Sequence, residues 1–270
     1  MKISINANQL ILPLLPTSTA HIFYLDVKDF LPEIEQFYYL LSDEEKCKAN
    51  KFHFKLDKER YILTRGMLRM LLGIYLKSDC KQISFNYNLH DKPYLFNNDV
   101  IKFNLSHSKD LILFGFTQQQ ELGVDLEYSG ENLEFDEIAN IFFHKNECYL
   151  LNEANSFRKK EVFFDIWVIK EAIIKAIGLG LNYNIANIEV SVTKNGGYQI
   201  RAISDTALNL SEWNLYLLEI NPDYAAAIAI KSRLNDITVN KILPTLNLIN
   251  QGNCYCKLKT CVSVNPCEQV

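Results

Sequence analysis

Residues 121–128 read ELGVDLEY, and the alternation within this short segment decides much of how the chain folds. Successive side chains of a β-strand point to opposite faces, so the apolar residues share one face and Gly123, Asp125 and Glu127 share the other. Two carboxylates on one strand face repel each other, and acidic residues are poor strand formers. We therefore expect that this face is solvated or that a cation lies between the carboxylates.

The residues just before this segment predict a β-hairpin. LILFGFT (111–117) is followed by three glutamines and then by the acidic segment, a spacing typical of two strands joined by a three-residue loop. In that register Asp125 lies opposite Leu113, and the acidic end of the second strand lies beside a predicted loop at residues 106–109. The pattern therefore places His107 and two serine hydroxyls near the carboxylate pair.

The composition describes a globular protein with a substantial core. The 270 residues are 48% hydrophobic and 22% charged, enough for one large domain or two of ordinary size. The formal net charge of −4 argues against bulk electrostatic binding to nucleic acid or to an anionic membrane. No apolar run is long enough to cross a bilayer. Pro13 and Pro16 interrupt the apolar patch near the N-terminus, so we expect no secretory signal.

The seven cysteines are an odd number in a chain too large to need disulfides. We therefore expect reduced thiols and a cytoplasmic protein. Four of the cysteines lie in the last stretch of the chain, where their spacing fits no common zinc pattern: Cys254, Cys256, Cys261 and Cys267. We expect this Cys-rich stretch to be a tail outside the folded pattern.

Two halves of the chain repeat one layout, although their residues are hardly identical. Each half has a long amphipathic helix, at residues 58–76 and 160–181, in which apolar residues recur at spacings of three and four. Several strand-like runs follow each helix. The pattern predicts an α+β fold built as a pseudo-twofold duplication of two similar α+β subdomains. Ligand sites favour such boundaries, so we expect the active site at the subdomain interface.

The predicted organisation has four parts. They are an N-terminal segment at 1–20, a first subdomain at 21–118, a second subdomain at 119–234 and the Cys-rich tail at 235–270. The boundary between the subdomains lies at the three glutamines. The repeated pattern fades beyond about Ser232, and for this reason truncation after about residue 235 is expected to leave an active protein.

The second long helix carries a charged pair that is ordinary by itself. In WVIKEAIIKAIG (167–178), Glu171 and Lys175 lie on one helical face, and such surface pairs contribute only about 0.2–0.5 kcal/mol. Lys170 alone is most simply a solvated lysine, His107 alone a loop histidine, and Asp125 alone a capping or turn residue. Their occurrence together, in this order along the chain, points instead to a functional site.

These motifs together resemble the 4′-phosphopantetheinyl transferase superfamily in its long, two-half, Sfp-like form. The resemblance rests on SHS (106–108), GVDLE (123–127) and WxxKEAxxK (167–175), and it runs from about Phe23 to Ile230. It includes KPYLF before the SHS motif and SDEEKCKANKFHFKLDKERY further upstream. The resemblance implies two similar α+β halves with coenzyme A bound between them, which agrees with the duplication inferred from the pattern.

The sequence departs from the family pattern at three positions. Val168 follows Trp167 where a small residue is usual. Asp91 replaces the glycine that often precedes the Lys-Pro pair. Glu45 stands where the family often has a lysine, so one phosphate contact that the resemblance implies lacks its basic residue here.

The resemblance implies a defined reaction. The 4′-phosphopantetheine arm of coenzyme A moves to a serine of an apo acyl or peptidyl carrier protein, and 3′,5′-ADP is released. The charge on the pyrophosphate must be neutralised, which suits Mg²⁺ held by carboxylates and phosphates, with Mn²⁺ as the alternative. The expected metal ligands are Asp125, Glu127 and Glu171. Glu171 is also expected to help deprotonate the serine, directly or through water.

The same resemblance assigns the remaining site residues. Glu171, Lys175 and His107 are expected to be catalytic. The residues expected to bind coenzyme A are Lys48, Arg60, Lys92, Pro93, Ser106, His107, Lys170 and Lys175. Of these, Lys48, Arg60 and Lys92 match positions near the 3′-phosphate and adenine, and the two lysines of the second helix match positions near the pyrophosphate or pantetheine.

The expected partner is an acidic carrier protein, bound by a monomeric enzyme that serves secondary-metabolite pathways. A basic or apolar patch at the mouth of the cleft should receive the carrier's helix. The candidate segments are residues 141–143 and 68–72, although core packing explains both equally well.

Two other functions fit parts of the pattern. Another Mg²⁺-dependent enzyme, such as a phosphatase or nuclease, could use the same acidic cluster without a carrier protein. A non-catalytic relative could hold coenzyme A or a carrier domain without transfer, and Val168 and Glu45 favour this alternative. Asp125, Glu171 and Lys175 favour an active transferase.

Overall fold

The structure, a computed structural model, describes residues 15–130, 134–180, 183–194, 196–203, 209, 212–244 and 261–264. The helices are α1 (Val27–Phe30), α2 (Ile34–Leu40), α3 (Asp43–Ala49), α4 (Lys55–Leu76), α5 (Phe135–Phe142), α6 (Lys145–Glu153) and α7 (Ser156–Ile177). The strands of the first half are β1 (Thr19–Asp26), β2 (Phe85–Tyr87), β3 (Pro93–Leu95), β4 (Ile101–Ser108) and β5 (Leu111–Gln118). The later strands are β6 (Leu122–Tyr128), β7 (Ile188–Val192), β8 (Tyr198–Ile203), β9 (Trp213–Leu217), β10 (Tyr224–Lys231), β11 (Asp236–Ile242) and β12 (Cys261–Val264).

The first half packs α4 against a sheet whose order, within the described residues, is β12-β11-β1-β5-β4. The apolar face of α4 and one face of β1 and β5 form a continuous core that includes Phe23, Leu63, Met67 and Phe114. Before α4, Ser42 and Glu45 form a capping box that starts α3, which satisfies backbone N–H groups at the helix N-terminus. The long helix therefore has a fixed position relative to the sheet.

The second half packs α7 against a smaller sheet, ordered β6-β10-β9 in the part of the chain described. Gly123 makes this close approach feasible, because a Cβ atom at that position would lie 2.1 Å from the carbonyl oxygen of Ala172. The helix ends at Gly178, whose φ of 77° is the left-handed conformation typical of a glycine cap. The hairpin of β7 and β8 and helices α5 and α6 complete this half.

The α+β fold with two subdomains is confirmed, whereas the predicted hairpin is wrong. β5 pairs with β1 and β4, and β6 pairs with β10 in the other sheet. The apolar face of β6 packs on the face of β1 and β5 opposite α4, where Leu122, Val124 and Leu126 form a second core. If β6 paired with the edge of β5, its apolar face would stay on the surface of the sheet. Packing β6 face to face on β1 and β5 buries that face. The chain therefore turns at Gln119 (φ 64°) and enters the other sheet.

The segment expected to be a tail contributes a strand to the first sheet. β11 pairs in parallel with β1 from Thr19 to Tyr24, and its Ile237, Val239 and Ile242 are buried. The assignment of residues 236–242 to a separate tail is therefore wrong, because Ile237 and Val239 pack into the second core and Ile242 packs into the core beneath α4. Three of the four late cysteines lie outside the described residues: Cys254, Cys256 and Cys267.

The first sheet also contains a buried histidine that links stability to pH. His21 is 2% exposed, and its Nδ1 lies 2.7 Å from the hydroxyl oxygen of Tyr75. Burial lowers the pKa of His21 from 6.5 to about 4, and the nearby charge of Asp236 opposes this effect only in part. The folded state therefore keeps a neutral imidazole where the unfolded state is already protonated.

We expect the free energy of unfolding to fall as pH drops from about 6.5 to about 4, because the unfolded state binds more protons across this window. His21 alone should contribute about 3 kcal/mol to this loss. Urea unfolding at pH 7 and pH 4.5 measures it, and comparison with His21→Gln separates His21 from the carboxylates. An equal pH dependence in both proteins would contradict the prediction.

Candidate active site

A cavity of about 420 Å³ lies between the two halves of the molecule. Its walls come from α4, the β2–β3 hairpin and β4 of the first half and from α7 of the second. The predicted site residues on its wall are Lys48, Arg60, Lys92, Pro93, His107, Glu171 and Lys175. The cavity therefore lies at the subdomain interface, as expected, and brings together seven predicted site residues from both halves of the sequence.

Asp125 lies behind the cavity wall, where it contacts Lys175, and is 2% exposed. Its Oδ1 accepts hydrogen bonds from Ser106 Oγ at 2.9 Å and from Lys175 Nζ at 2.6 Å. The other carboxylate oxygen, Oδ2, is buried without a hydrogen-bond partner. A buried carboxylate oxygen without a donor is costly, and a cation next to it would offset that cost.

Two further carboxylates share the electrostatic environment of Asp125. Burial raises the pKa of Glu127 and of Glu171, and the negative charge of Asp125 raises both further. Ser108 Oγ donates to Glu127 Oε2 at 2.8 Å, whereas Glu171 lies on the cavity wall one helical turn before Lys175. The three carboxylates thus form a cluster of mutually repelling charges, as expected for a site that binds a cation.

The donor chemistry of this cluster fits a divalent ion, although the carboxylates do not form a closed metal site. Within the described residues, no group of three or more His, Cys, Asp or Glu side chains is arranged to hold a metal. Mg²⁺, however, commonly takes only one or two carboxylates and completes its shell with water and substrate phosphates. The unpartnered oxygen of Asp125 and the nearby acids meet that requirement.

His107 and Lys175 face the cavity from opposite halves of the molecule. Residues 106–108, predicted to be a loop, form the end of β4, so Ser106 points towards Asp125 and His107 points to the other side of the strand. The surrounding protein lowers the pKa of His107, and the charges of Arg60 and Lys175 lower it further. His107 is therefore a neutral hydrogen-bonding group at neutral pH, next to cations that attract phosphate.

Three further basic residues line the cavity. Arg60 on α4 pairs with Asp57 and donates to the carbonyl oxygen of Lys109, and Lys48 lies over the ring of Tyr61. Lys92 bridges the halves, because its Nζ donates to the carbonyl oxygen of Ala176 on α7 at 2.9 Å. Burial lowers the pKa of Lys92. These residues add cations to the cavity wall beside the carboxylate cluster.

Lys170 does not line the cavity, so its predicted contact with coenzyme A is wrong. Its side chain is 0% exposed and forms an ion pair with Glu147 of α6, which is equally buried. Glu147 Oε1 also accepts from the backbone N–H of Val190. Lys170 and Glu171 are adjacent on α7, about 100° apart around the helix, so one faces α6 and the other faces the cavity.

Replacing Lys170 with methionine is expected to lower the free energy of unfolding by about 3–5 kcal/mol, because Glu147 becomes a buried charge without a partner. The double variant Lys170→Met/Glu147→Gln should recover part of that loss. Urea unfolding measures both. A stable Lys170→Met protein with much weaker binding of coenzyme A would instead support the contact predicted from the sequence.

The three departures from the family pattern have structural explanations. Asp91 has φ 61°, the left-handed conformation that explains why glycine is common there and that aspartate tolerates. Val168 is buried in the core beneath α7. Glu45 is buried and pairs with Arg65 and Arg69, so it stabilises α4 and does not face phosphate.

Several residues on the cavity wall were not predicted from the sequence. They include Tyr61, Thr64, Arg65, His90 and Asn104. Helical spacing would have indicated Thr64, which lies one turn after Arg60 on the same face of α4, whereas Tyr61 and Arg65 lie about 100° and 140° around the helix from Arg60. His90 and Asn104 carry no comparable local signal, because the fold of the hairpin and of β4 brings them to the cavity.

Comparison with known proteins identifies the family of the chain. Residues 121–229 match the model of the 4′-phosphopantetheinyl transferase superfamily, and residues 30–117 match that of the 4′-phosphopantetheinyl transferase N-terminal domain. The 4′-phosphopantetheinyl transferase HetI of Nostoc sp. is 32% identical over 193 residues, which are 70% of this chain and 78% of that protein. The chain belongs to the 4′-phosphopantetheinyl transferase superfamily.

Other members show the same relationship. The 4′-phosphopantetheinyl transferase Sfp of Bacillus subtilis is 27% identical over 76% of this chain and 88% of its own. A holo-(acyl-carrier-protein) synthase of Bacillus anthracis, solved in complex with coenzyme A, is similar over 42% of this chain and 96% of its own, with 19% identity and a TM-score of 0.35.

As a 4′-phosphopantetheinyl transferase, the chain moves the 4′-phosphopantetheine arm of coenzyme A to a carrier protein. None of the helices within the described residues has the length and apolar character needed to span a membrane.

Proposed function

We propose that the cavity between the halves binds coenzyme A for this transfer, in a Mg²⁺-dependent reaction in which Asp125 is the central metal ligand. The observation that carries the proposal is Lys175, which lines the cavity and donates at 2.6 Å to Asp125 Oδ1, while the other oxygen of this carboxylate is buried without a partner. A carboxylate cluster beside a cavity lined by several cations suits a substrate with a pyrophosphate and a separate 3′-phosphate.

Asp125 and Glu127 would hold the ion together with water and substrate phosphates, with Glu171 near them on the cavity wall, and Mn²⁺ is the alternative to Mg²⁺. When bound, the ion supplies positive charge to the pyrophosphate oxygens as the bond to the leaving 3′,5′-ADP weakens. The raised pKa values of Glu127 and Glu171 support this role, because a cation would relieve the repulsion that causes part of the shift.

The basic residues have two proposed tasks. Lys175, which lines the cavity and is 25% exposed, and neutral His107 donate hydrogen bonds to pyrophosphate oxygens. Lys48, Arg60 and Lys92 bind the nucleotide end, including the 3′-phosphate, with Pro93 beside them on the cavity wall. Ser106 was expected to bind coenzyme A, but its hydroxyl contacts Asp125 and Lys175. Its proposed role is therefore to hold these two side chains.

Glu171 is the proposed general base for the carrier serine. Its position on the cavity wall and its raised pKa support this role, because a carboxylate with a higher pKa is a better proton acceptor. Proton transfer through one water molecule would let Glu171 both contact the ion and serve as base.

The carrier protein is proposed to dock on α5. Ile141 and Phe142 are exposed apolar residues on this helix, whereas Phe143 is buried. The other candidate segment is excluded, because Leu68, Leu71 and Leu72 belong to the core of the first half. We also propose a cytoplasmic, monomeric enzyme that acts on carriers of secondary metabolism, and native mass spectrometry tests its oligomeric state.

One assay tests the proposed function. The protein is incubated with coenzyme A, Mg²⁺ and an apo carrier protein, and the intact mass of the carrier is measured with and without EDTA. We expect the carrier to gain one phosphopantetheine arm only when the metal is present. Binding of coenzyme A without any gain would indicate a non-catalytic relative, and phosphate release without a carrier would indicate a hydrolase.

A further inference from the structure

The edges of the two sheets meet through side chains instead of backbone pairing. β4 is the last strand of the first sheet, and β6 is the first strand of the second, so each has one edge without a paired strand among the described residues. Asn104 contacts Val124, and four residues later Ser108 contacts Tyr128. The residue numbers rise together along β4 and β6, so the two strands run in the same direction. This junction joins the halves directly behind the carboxylate cluster.

Three alternate residues of β4 form this junction, which we call the β4 ladder: Asn104, Ser106 and Ser108. Asn104 Oδ1 accepts from the backbone N–H of Val124 at 2.9 Å. Ser106 Oγ donates to Asp125 Oδ1 at 2.9 Å. A strand of period two places all three side chains on one face, so they reach successive positions of β6.

Ser108 makes two contacts that no other residue of the ladder combines. Its Oγ accepts from the backbone N–H of Tyr128 at 3.0 Å and donates to Glu127 Oε2 at 2.8 Å. The first bond fixes the end of β6, and the second orients the carboxylate of Glu127. Ser108, like Asp125 and Glu127, is not among the residues that line the cavity, so its contact with Glu127 is the route by which it acts on the site.

We propose that Ser108 is a positioning residue, which orients Glu127 for the metal through the β4 ladder. This inference rests on the proposed function, because it assigns Ser108 a task only if Glu127 is a metal ligand. Asn104 and Ser106 hold the same strand edge on the side of Asp125. The ladder thereby sets the spacing of two acids that would otherwise move apart under their mutual repulsion.

The test compares Ser108→Ala with Ser108→Thr, which keeps the hydroxyl and suits a strand. We expect Ser108→Ala to weaken Mn²⁺ binding about tenfold, measured by calorimetry on the enzyme with coenzyme A and no carrier. The Mg²⁺ concentration for half-maximal transfer should rise equally, while KM for coenzyme A at saturating Mg²⁺ changes less than about twofold. Ser108→Thr should restore metal binding.

A matched control separates positioning from stability. Asn155 caps the N-terminus of α7, where its side chain accepts from the backbone N–H of Arg158, and Asn155→Ala should lower the Tm without changing metal affinity. In a Glu127→Gln background, Ser108→Ala should have little further effect on metal binding. Equal metal affinities in wild type and Ser108→Ala, or an equal loss in Asn155→Ala, would overturn this inference alone. Transfer by wild type without a divalent metal would overturn the proposed metal site as well.

Discussion

Replacing Asp125 with alanine is expected to lower kcat/KM for transfer about a thousandfold while the protein stays folded. The substitution removes the central proposed ligand, and a metal ion that stabilises transition-state charge contributes several kcal/mol, where each 1.36 kcal/mol is a factor of ten. Lys175 also loses the acceptor that holds it at 2.6 Å. Both effects act on the pyrophosphate end of the cavity.

The fold should tolerate this change because the site is electrostatically frustrated without a ligand. Asp125 raises the pKa of Glu127 and of Glu171, so its removal relieves repulsion. Lys175 keeps 25% of its side chain exposed, so its ammonium can return to water. A Tm within a few degrees of wild type is the expected result.

Carrier mass spectrometry at several Mg²⁺ concentrations and thermal unfolding measure the two parts of this prediction. Asp125→Asn keeps the shape and removes the charge, and it should lose most of the activity too. Asp43→Asn, which removes an exposed acid from α3, is the control and should behave as wild type. Normal transfer by Asp125→Ala at ordinary Mg²⁺ would end the assignment of this site.

Ending the chain after Asn235 is expected to abolish folding, in contrast to the expectation from the sequence pattern. The truncation removes β11, which pairs with β1 from Thr19 to Tyr24 and buries Ile237, Val239 and Ile242. Burial of an aliphatic side chain contributes about 1.5–3 kcal/mol, so three of them amount to about 5–9 kcal/mol. This is comparable with the total stability of a typical protein, about 5–15 kcal/mol.

A chain that ends after Pro244 is the matched comparison, because it keeps β11 and lacks the Cys-rich stretch. We expect it to be soluble and active, whereas the shorter chain should be insoluble or lack a cooperative unfolding transition. Circular dichroism and the carrier assay measure both. A folded, active protein ending at Asn235 would show that β11 is dispensable and would restore the sequence-based boundary.

Local sequence patterns predicted some features of the site and missed others. The alternation in β6 indicated which residues share a face with Asp125, and the helical spacing placed Glu171 one turn before Lys175. The same spacing said nothing about Lys170, which lies next to Glu171 and is buried against Glu147. The helical repeat gives the angle between two side chains around the helix axis. The elements packed around the helix decide which of the two side chains faces solvent and which faces the core.

The sequence by itself determined the α+β class, the two-half layout and the residue types of the carboxylate and basic clusters, because these depend on periodicity and spacing within one segment. Only the tertiary structure decided that β6 leaves the sheet of β5, that β11 returns to β1 and that Ser108 contacts Glu127. Strand partners and side-chain contacts depend on which apolar faces can be buried together across the whole chain. That competition is non-local, so no single segment of this sequence contains its result.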